Sequence, residues 1–202
     1  MKARKVKGID PDGAAADQVA KIVAVRLDEL GSFMPKARDP LAVHTLHDMR
    51  IAAKRLRYVL ELFGDQLGPY AVEAAKQAKK LQDVLGEIHD CDVTRPRIAA
   101  LARELRAADA RAVRALADPD AKDLDPALVA DAPHRAAYRG LTTMDVALSA
   151  RRELLFDRFL ARWEKLERDG FRDRLLEAIT SRSHGGNGAP PDHAITSEAS
   201  TP

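Results

Sequence analysis

The chain has 202 residues and is 46% hydrophobic, largely through Ala, Leu and Val, with only 4% aromatic residues, so we expect one helix-rich domain or two small ones. The 33 Lys and Arg residues nearly balance the 31 Asp and Glu residues. The net charge of +2 therefore does not by itself indicate a polyanionic partner. A basic site can arise only where Lys and Arg residues are locally separated from the acidic ones. The single cysteine, Cys91, excludes an intramolecular disulfide, and no apolar run approaches the roughly 18 residues of a membrane span, so we expect a reducing, cytoplasmic compartment.

The first half of the chain has the apolar spacing of three helices. Residues 1–10 form a basic N-terminus without the apolar segment of a secretory signal, and we expect it to be flexible. The first helix is predicted to end at about Gly31, before a break at Asp39-Pro40. The second helix is predicted from Leu41 to Phe63 and the third from Ala71 to His89. Because the link between these two is short, we expect them to be antiparallel neighbours.

The second half of the chain predicts further helices and a tail. A fourth helix is expected to begin in earnest at Pro96, because a proline within a helix removes a backbone hydrogen bond. Residues 118–133 contain three prolines and predict a loop with one short helical turn, followed by helices from His134 to about Arg168 and from Phe171 to Ile179. The composition of residues 181–202 predicts a disordered tail. Residues 11–180 are thus expected to form an all-α, antiparallel helical bundle.

One side of the second helix carries an unusual row of positive charge. At about 100° per residue, one narrow stripe contains a histidine and three cations, His47, Arg50, Lys54 and Arg57, which we call the basic stripe. A separate apolar stripe on the same helix is expected to pack in the core. Only Arg57 has an acidic residue, Glu61, four positions away, so the rest of the basic stripe lacks compensation within its helix. A charged helix face of this kind is usually solvated. Because these cations lack acidic partners on their own helix, the basic stripe favours binding of an anion.

The third helix adds a second group of cations. Lys76, Lys79 and Lys80 lie away from its apolar stripe, although Asp83 and Glu87 share their face. A solvated face and a functional one are both open for these lysines. If the second and third helices are antiparallel, the lysines lie within one or two turns of the basic stripe and would line the same groove.

Three segments of the chain resemble one known family. The segment from Leu46 to Arg57 resembles the defining motif of CHAD domains, which are all-helical domains named for their histidines. The segment from Leu81 to Val93 is similar to a second motif of that family, and the segment from Ala147 to Arg152 matches a third one less specifically. The order and spacing of the motifs agree over roughly residues 14–180. Arg152 departs from the family pattern, which has an aromatic residue there.

The resemblance implies a bundle with a basic central groove or cavity that binds inorganic polyphosphate, and an association with polyphosphate granules. It implies a binding protein without chemistry of its own, and neither a cofactor nor a metal. The chain is shorter than family members with two full four-helix halves, so the second half of the cavity is expected to be reduced or remodelled. The polyphosphate-binding residues that the resemblance and the charge pattern suggest are His47, Arg50, Lys54, Arg55, Arg57, Lys76, Lys79, Lys80, His89 and Arg151.

The physical chemistry of the chain agrees with such a ligand. A polyphosphate offers repeating negative charge and no base, so its receptor needs Arg and Lys rather than aromatic residues. Single-stranded nucleic-acid binders usually supply aromatic stacking platforms, which are scarce here. Two alternatives stay open: an enzyme that hydrolyses phosphoanhydrides, or an accessory to one, and a nonspecific nucleic-acid binder. No Gly-rich phosphate loop or Glu-x-Glu-x-Lys metal site supports the enzyme.

Other chemically capable residues have ordinary interpretations. His44 and His47 are spaced for a metal, but no third ligand is apparent, so His44 is expected to be a partly exposed helix residue. Asp90 and Asp92 are expected to lie between two helices, where capping or anchoring of cations is commoner than catalysis. Cys91 between them is expected to be a small buried residue.

Overall fold

The described part of the chain comprises residues 2–120 and 122–184 of a computed structural model, and it contains helices and loops but no strand. The all-α prediction is therefore confirmed. In chain order the helices are α1 (Ala15–Gly31), α2 (Met34–Ala37), α3 (Val43–Leu67), α4 (Pro69–Leu116), α5 (Pro126–Ala130), α6 (Arg135–Arg168) and α7 (Phe171–His184).

Helices α3 and α4 form a tight antiparallel hairpin, as the short link predicts. Gly68 alone joins them, with a φ of 95° that a residue with a side chain rarely adopts, and Pro69 then starts α4 at a position where its missing N–H costs nothing. Gly64 does not end α3, which continues to Leu67. A Cβ at Gly64 would lie 3.3 Å from Val72 Cγ2, so this glycine sits where the two helices approach closely.

The predicted break at Pro96 is wrong, because α4 is a single helix of 48 residues that contains this proline. Pro96 cannot donate a hydrogen bond to the Asp92 carbonyl, a loss of about 3 kcal/mol in a helix interior. Ion pairs to α6 hold the turn of α4 that immediately precedes the proline. Asp92 Oδ1 accepts a hydrogen bond from Arg152 Nε at 2.5 Å, and Arg95 Nε donates to Asp145 Oδ1 at 2.8 Å. Packing against α6 therefore outweighs the helix-breaking effect of Pro96.

The core lies between α1, α3, α7, the first half of α4 and the second half of α6. Its fully buried large side chains include Leu30, Leu46, Met49, Leu56, Leu60, Leu81, Leu85, Ile88, Leu155, Phe159 and Leu175. The small residues Ala52, Ala53, Ala74 and Ala78 are buried between α3 and α4 and allow close packing. Burial of apolar surface from five helices is the main force that holds the bundle together.

The second half of α4 and the first half of α6 extend beyond this core as a two-helix arm. Asp109 anchors the arm where α6 begins: its carboxylate accepts the His134 backbone N–H at 3.1 Å and lies 2.7 Å from His134 Nδ1. Ile98, Ala102 and Val113 are buried along the arm, outside the main core cluster.

The ends of the described chain differ from the expectation in two ways. The N-terminal segment lies against α1, since the Arg4 N–H donates to Glu29 Oε1 at 3.2 Å and Lys21 Nζ donates to the Gly8 carbonyl at 2.7 Å. Helix α7 continues to His184, beyond its predicted end at Ile179. The rest of the predicted tail, residues 185–202, lies outside the described residues. Within the described residues, no helix is long and apolar enough to cross a membrane.

Candidate anion-binding site

The basic stripe lies on the side of α3 that borders α4. His47, Arg50, Lys54 and Arg57 are all half-buried, whereas Leu46, Met49, Ala53, Leu56 and Leu60 on the neighbouring stripe are fully buried. The periodicity of the sequence therefore predicts the two faces of α3 correctly. The cations do not project freely into solvent, because they lie along a second helix.

Three residues of α4 face the basic stripe in antiparallel order, and we call the surface that these residues and the stripe form the α3–α4 groove. His89 Nδ1 lies 3.3 Å from His47 Nδ1, and Arg57 Nη1 donates to Gln82 Oε1 at 3.1 Å. Between these contacts Arg50 lies against Gly86, where an added Cβ would make an ordinary contact with Arg50 Cδ at 3.9 Å. Gln82, Gly86 and His89 share one stripe of α4 by their spacing of four and three residues.

Two cations in the groove have no carboxylate to neutralise them. Arg50 makes no ion pair or hydrogen bond within the described residues, and its Nε is buried without a partner. A buried donor in this state costs about 1–3 kcal/mol. Lys54 also lacks an ion pair among the described residues, and its Nζ lies 5.5 Å from the centre of the Tyr58 ring. Arg57 is better compensated, since its Nε donates to Glu61 Oε1 at 2.9 Å.

The histidine pair closes one end of the groove. Burial, followed by His89 and Arg50, lowers the pKa of His47 from its ordinary value, and the Asp48 carboxylate opposes this only in part. With His47 neutral, one ring nitrogen of the pair donates a hydrogen bond and the other accepts it. Protonation of His47 would place a further cation beside Arg50, and a neighbouring anion would stabilise that form.

The three lysines of α4 do not all border this groove. Lys79 is one turn before Gln82, and its Nζ donates to Asp83 Oδ2 at 2.7 Å. Lys76 lies on the outer face, 3.9 Å from Glu73 Oε2. Lys80 lines a different groove, between α4 and α6. The expectation that all three lysines line one groove with the basic stripe therefore fails for Lys80, because consecutive positions on a helix point 100° apart.

Two other expected site residues are engaged elsewhere. Arg55 points toward α1, where its Nη1 lies 2.9 Å from Oε1 of the buried Glu29. Arg151 is exposed on α6 and donates to Glu87 Oε2 at 2.7 Å, a hydrogen bond that raises the arginine's pKa. Neither contact could be inferred from periodicity, since the partners are 26 and 64 residues away in sequence.

The remaining candidates have structural roles. Cys91 is buried, as expected, and burial raises the pKa of its thiol. Asp90 and Asp92 lie inside α4 and not between helices, so the expected capping position is wrong for both, whereas the other expected role, anchoring of a cation, holds for Asp92. Asp92 anchors the buried Arg152. His44 is exposed, and no cluster of three or more possible metal ligands occurs among residues 2–120 and 122–184.

Sequence reasoning missed Gln82 and Gly86 as parts of the α3–α4 groove. Their shared stripe with His89 on α4 was the available signal, because residues four and three positions apart lie on the same side of a helix. It also missed Arg158, which lines the groove between α4 and α6 together with Lys80. The spacing of Arg158, Arg162 and Lys165 is that of a second basic stripe.

Fold and site together define an all-α helical bundle with uncompensated cations between two antiparallel helices. Residues 3–99, just under half of the chain, match the family model of the CHAD domain, which confirms the resemblance predicted from the sequence. It includes both the basic stripe and the α4 residues that face it. No curated protein and no solved structure matches the chain significantly.

Proposed function

We propose that this protein binds inorganic polyphosphate in the α3–α4 groove and performs no chemistry on it. The observation that carries the proposal is Arg50: its guanidinium is held between two helices with a buried Nε that has no partner among the described residues. Lys54, one turn further along α3, is likewise without an ion pair there. Phosphoryl oxygens are strong acceptors for both groups.

The form of the groove supports a chain-like anion. His47, Arg50, Lys54 and Arg57 follow one another over ten residues of α3, which is about 15 Å of helix. A single phosphate would engage one or two of them, whereas a chain of phosphates presents an oxygen anion at every step. The match of residues 3–99 to the CHAD domain model supports the same ligand, and the resemblance adds polyphosphate granules as the cellular location.

The test is a titration of the full chain with long polyphosphate, followed by calorimetry. The double variant Arg50→Gln/Lys54→Gln is expected to lose at least about tenfold in affinity, because each charge-assisted hydrogen bond contributes about 1.5–3 kcal/mol. The control Arg103→Gln/Arg111→Gln removes the same charge from exposed positions on the arm and should bind as the wild type does. Equal losses in both variants would show that only overall charge matters.

Two further measurements separate the alternatives. Release of phosphate from polyphosphate and Mg²⁺ that follows the purified protein peak would favour the phosphoanhydride hydrolase. Displacement of bound polyphosphate by RNA or DNA at equal charge concentration would favour the nucleic-acid binder. The proposal expects no phosphate release, and it expects polyphosphate to displace nucleic acid far more readily than the reverse, with a steep dependence on salt.

A further inference from the structure

A second groove lies between α4 and α6, on the other flank of α4 from the basic stripe, and we call it the α4–α6 groove. It has a volume of about 710 Å³. Its charged lining consists of four cations and two carboxylates, Lys80, Arg158, Arg162, Lys165, Asp83 and Glu87. Val84 and Leu155 supply apolar floor between the two helices.

The carboxylates of this groove are already engaged by cations that do not line it. Asp83 Oδ2 accepts from Lys79 at 2.7 Å, and Glu87 Oε2 accepts from Arg151 at 2.7 Å. Lys165 in turn is 2.9 Å from Asp169, outside the groove. Lys80, Arg158 and Arg162 form no ion pair with any residue that the structure describes. Three cations from two helices therefore line the α4–α6 groove without an ion pair among the described residues.

The arrangement of the arginines is unfavourable in the absence of an anion. Arg158 and Arg162 are four residues apart on α6, a spacing at which like charges destabilise a helix. Lys80 adds a third positive charge from the facing helix. Guanidinium forks beside a lysine are the donor set that suits phosphoryl oxygens.

The lysines of α4 connect the two grooves. Lys79 borders the α3–α4 groove, Lys80 lines the α4–α6 groove, and Lys76 lies one turn earlier between them. The three positions span about 100° of the surface of α4. They thus form a short path of cations across a helix whose diameter with side chains is about 10–12 Å.

We infer that a long polyphosphate chain held in the α3–α4 groove crosses α4 over these lysines and continues into the α4–α6 groove. The inference rests on the proposed function and adds a preference for long chains. A short oligophosphate occupies one groove, whereas a long chain engages both. Attachment at the first groove makes binding at the second intramolecular, which raises the overall affinity without a further encounter.

The experiment compares two probes, tripolyphosphate and long-chain polyphosphate, by calorimetry at constant ionic strength. The measured quantity is the ratio of the long-chain affinity, per chain, to the tripolyphosphate affinity. The wild type should show a high ratio, and Arg158→Gln/Arg162→Gln should reduce it by about tenfold or more. The control Arg103→Gln/Arg111→Gln carries the same change in charge and should leave the ratio unchanged.

Each outcome has one meaning. A wild type that binds neither probe would overturn the proposed function itself. A wild type that binds both, with the same ratio in the α6 double variant, would overturn only the continuation into the second groove. Thermal unfolding followed by circular dichroism accompanies each titration, and a folded α6 variant is expected because neither arginine makes an ion pair within the described chain.

Discussion

His47 on α3 and His89 on α4 face each other with their Nδ1 atoms 3.3 Å apart and their ring centres separated by 4.5 Å. Each histidine comes from a different sequence motif, and the contact fixes the antiparallel register of the two helices at the end of the α3–α4 groove. Since Arg50 is next to this pair and lowers the pKa of His47, the protonation of His47 and the charge of the groove are coupled.

The histidine pair predicts how stability depends on pH. The pKa of His47 is lowered in the folded protein, so the unfolded chain binds more protons as the pH falls through the ordinary histidine value of about 6.5. The free energy of unfolding should therefore decrease as the pH falls from ~7.5 to ~5.5, a window that brackets this value. Urea denaturation of the wild type and of His47→Asn measures the effect. A variant with an undiminished pH dependence would contradict this role for His47.

Bound polyphosphate should favour the protonated form of His47, which the free folded protein disfavours. A bound polyanion stabilises the protonated form of His47, so binding takes up protons and the affinity rises as the pH falls through the histidine range. Calorimetry in two buffers of different ionisation enthalpy measures the proton uptake directly. It should be smaller in His47→Asn than in the wild type, and equal uptake in the two proteins would place the titrating group elsewhere.

Substitutions at Arg50 and Arg55 should have different effects, one on polyphosphate affinity and the other on the free energy of unfolding. Arg55→Gln removes a partner of Glu29, which is 1% exposed and also accepts from Arg26 at 2.6 Å, so it should lower the free energy of unfolding by about 1–3 kcal/mol. Arg50→Gln should leave stability nearly unchanged and weaken polyphosphate binding. Chemical denaturation and calorimetry on both variants give the comparison. A loss of affinity confined to Arg55→Gln would reverse the assignment.

Alanine substitutions should distinguish Gly86, in the α3–α4 groove, from Gly64, where α3 and α4 approach closely. Gly86→Ala adds a methyl group 3.9 Å from Arg50 Cδ, an ordinary contact, and should stabilise α4 by about 0.5–1 kcal/mol through its higher helix propensity. Gly64→Ala places its methyl group 3.3 Å from Val72 Cγ2, so it should gain less or destabilise. Thermal unfolding of the two variants checks the difference, and equal gains would contradict the close approach at Gly64.

The pair Asp92–Arg152 should be essential for the packing of α6 on α4. Arg152 is 8% exposed, and besides Asp92 its Nη2 donates to the Pro40 carbonyl at 2.7 Å. Asp92→Ala leaves this guanidinium without its carboxylate and should cost about 3–5 kcal/mol. The double variant Asp92→Leu/Arg152→Met should recover much of that loss, since it leaves no unpaired charge. A double variant as unstable as the single one would show that the pair has a further role.

The parts of this fold that depend on local spacing could be predicted from the sequence. The two faces of α3, the antiparallel turn at Gly68 and the long helix α6 follow from periodicity and from glycine and proline positions. The unbroken course of α4 through Pro96 could not be predicted, because ion pairs to α6 across a separation of 50 or more residues outweigh the local loss. The same limit applies to Lys80, whose position in a second groove depends on where α6 packs.

Because α4 is unbroken, one helix connects the two grooves to the tip of the arm. Its 48 residues make a rod about 72 Å long that borders both grooves near one end and forms half of the arm at the other. If α4 tilted as one body by about 5° at the grooved end, its far end would move by about 6 Å, given a rise of 1.5 Å per residue. A rigid change in how α3 and α4 meet would thus be larger at the tip of the arm than at the grooves.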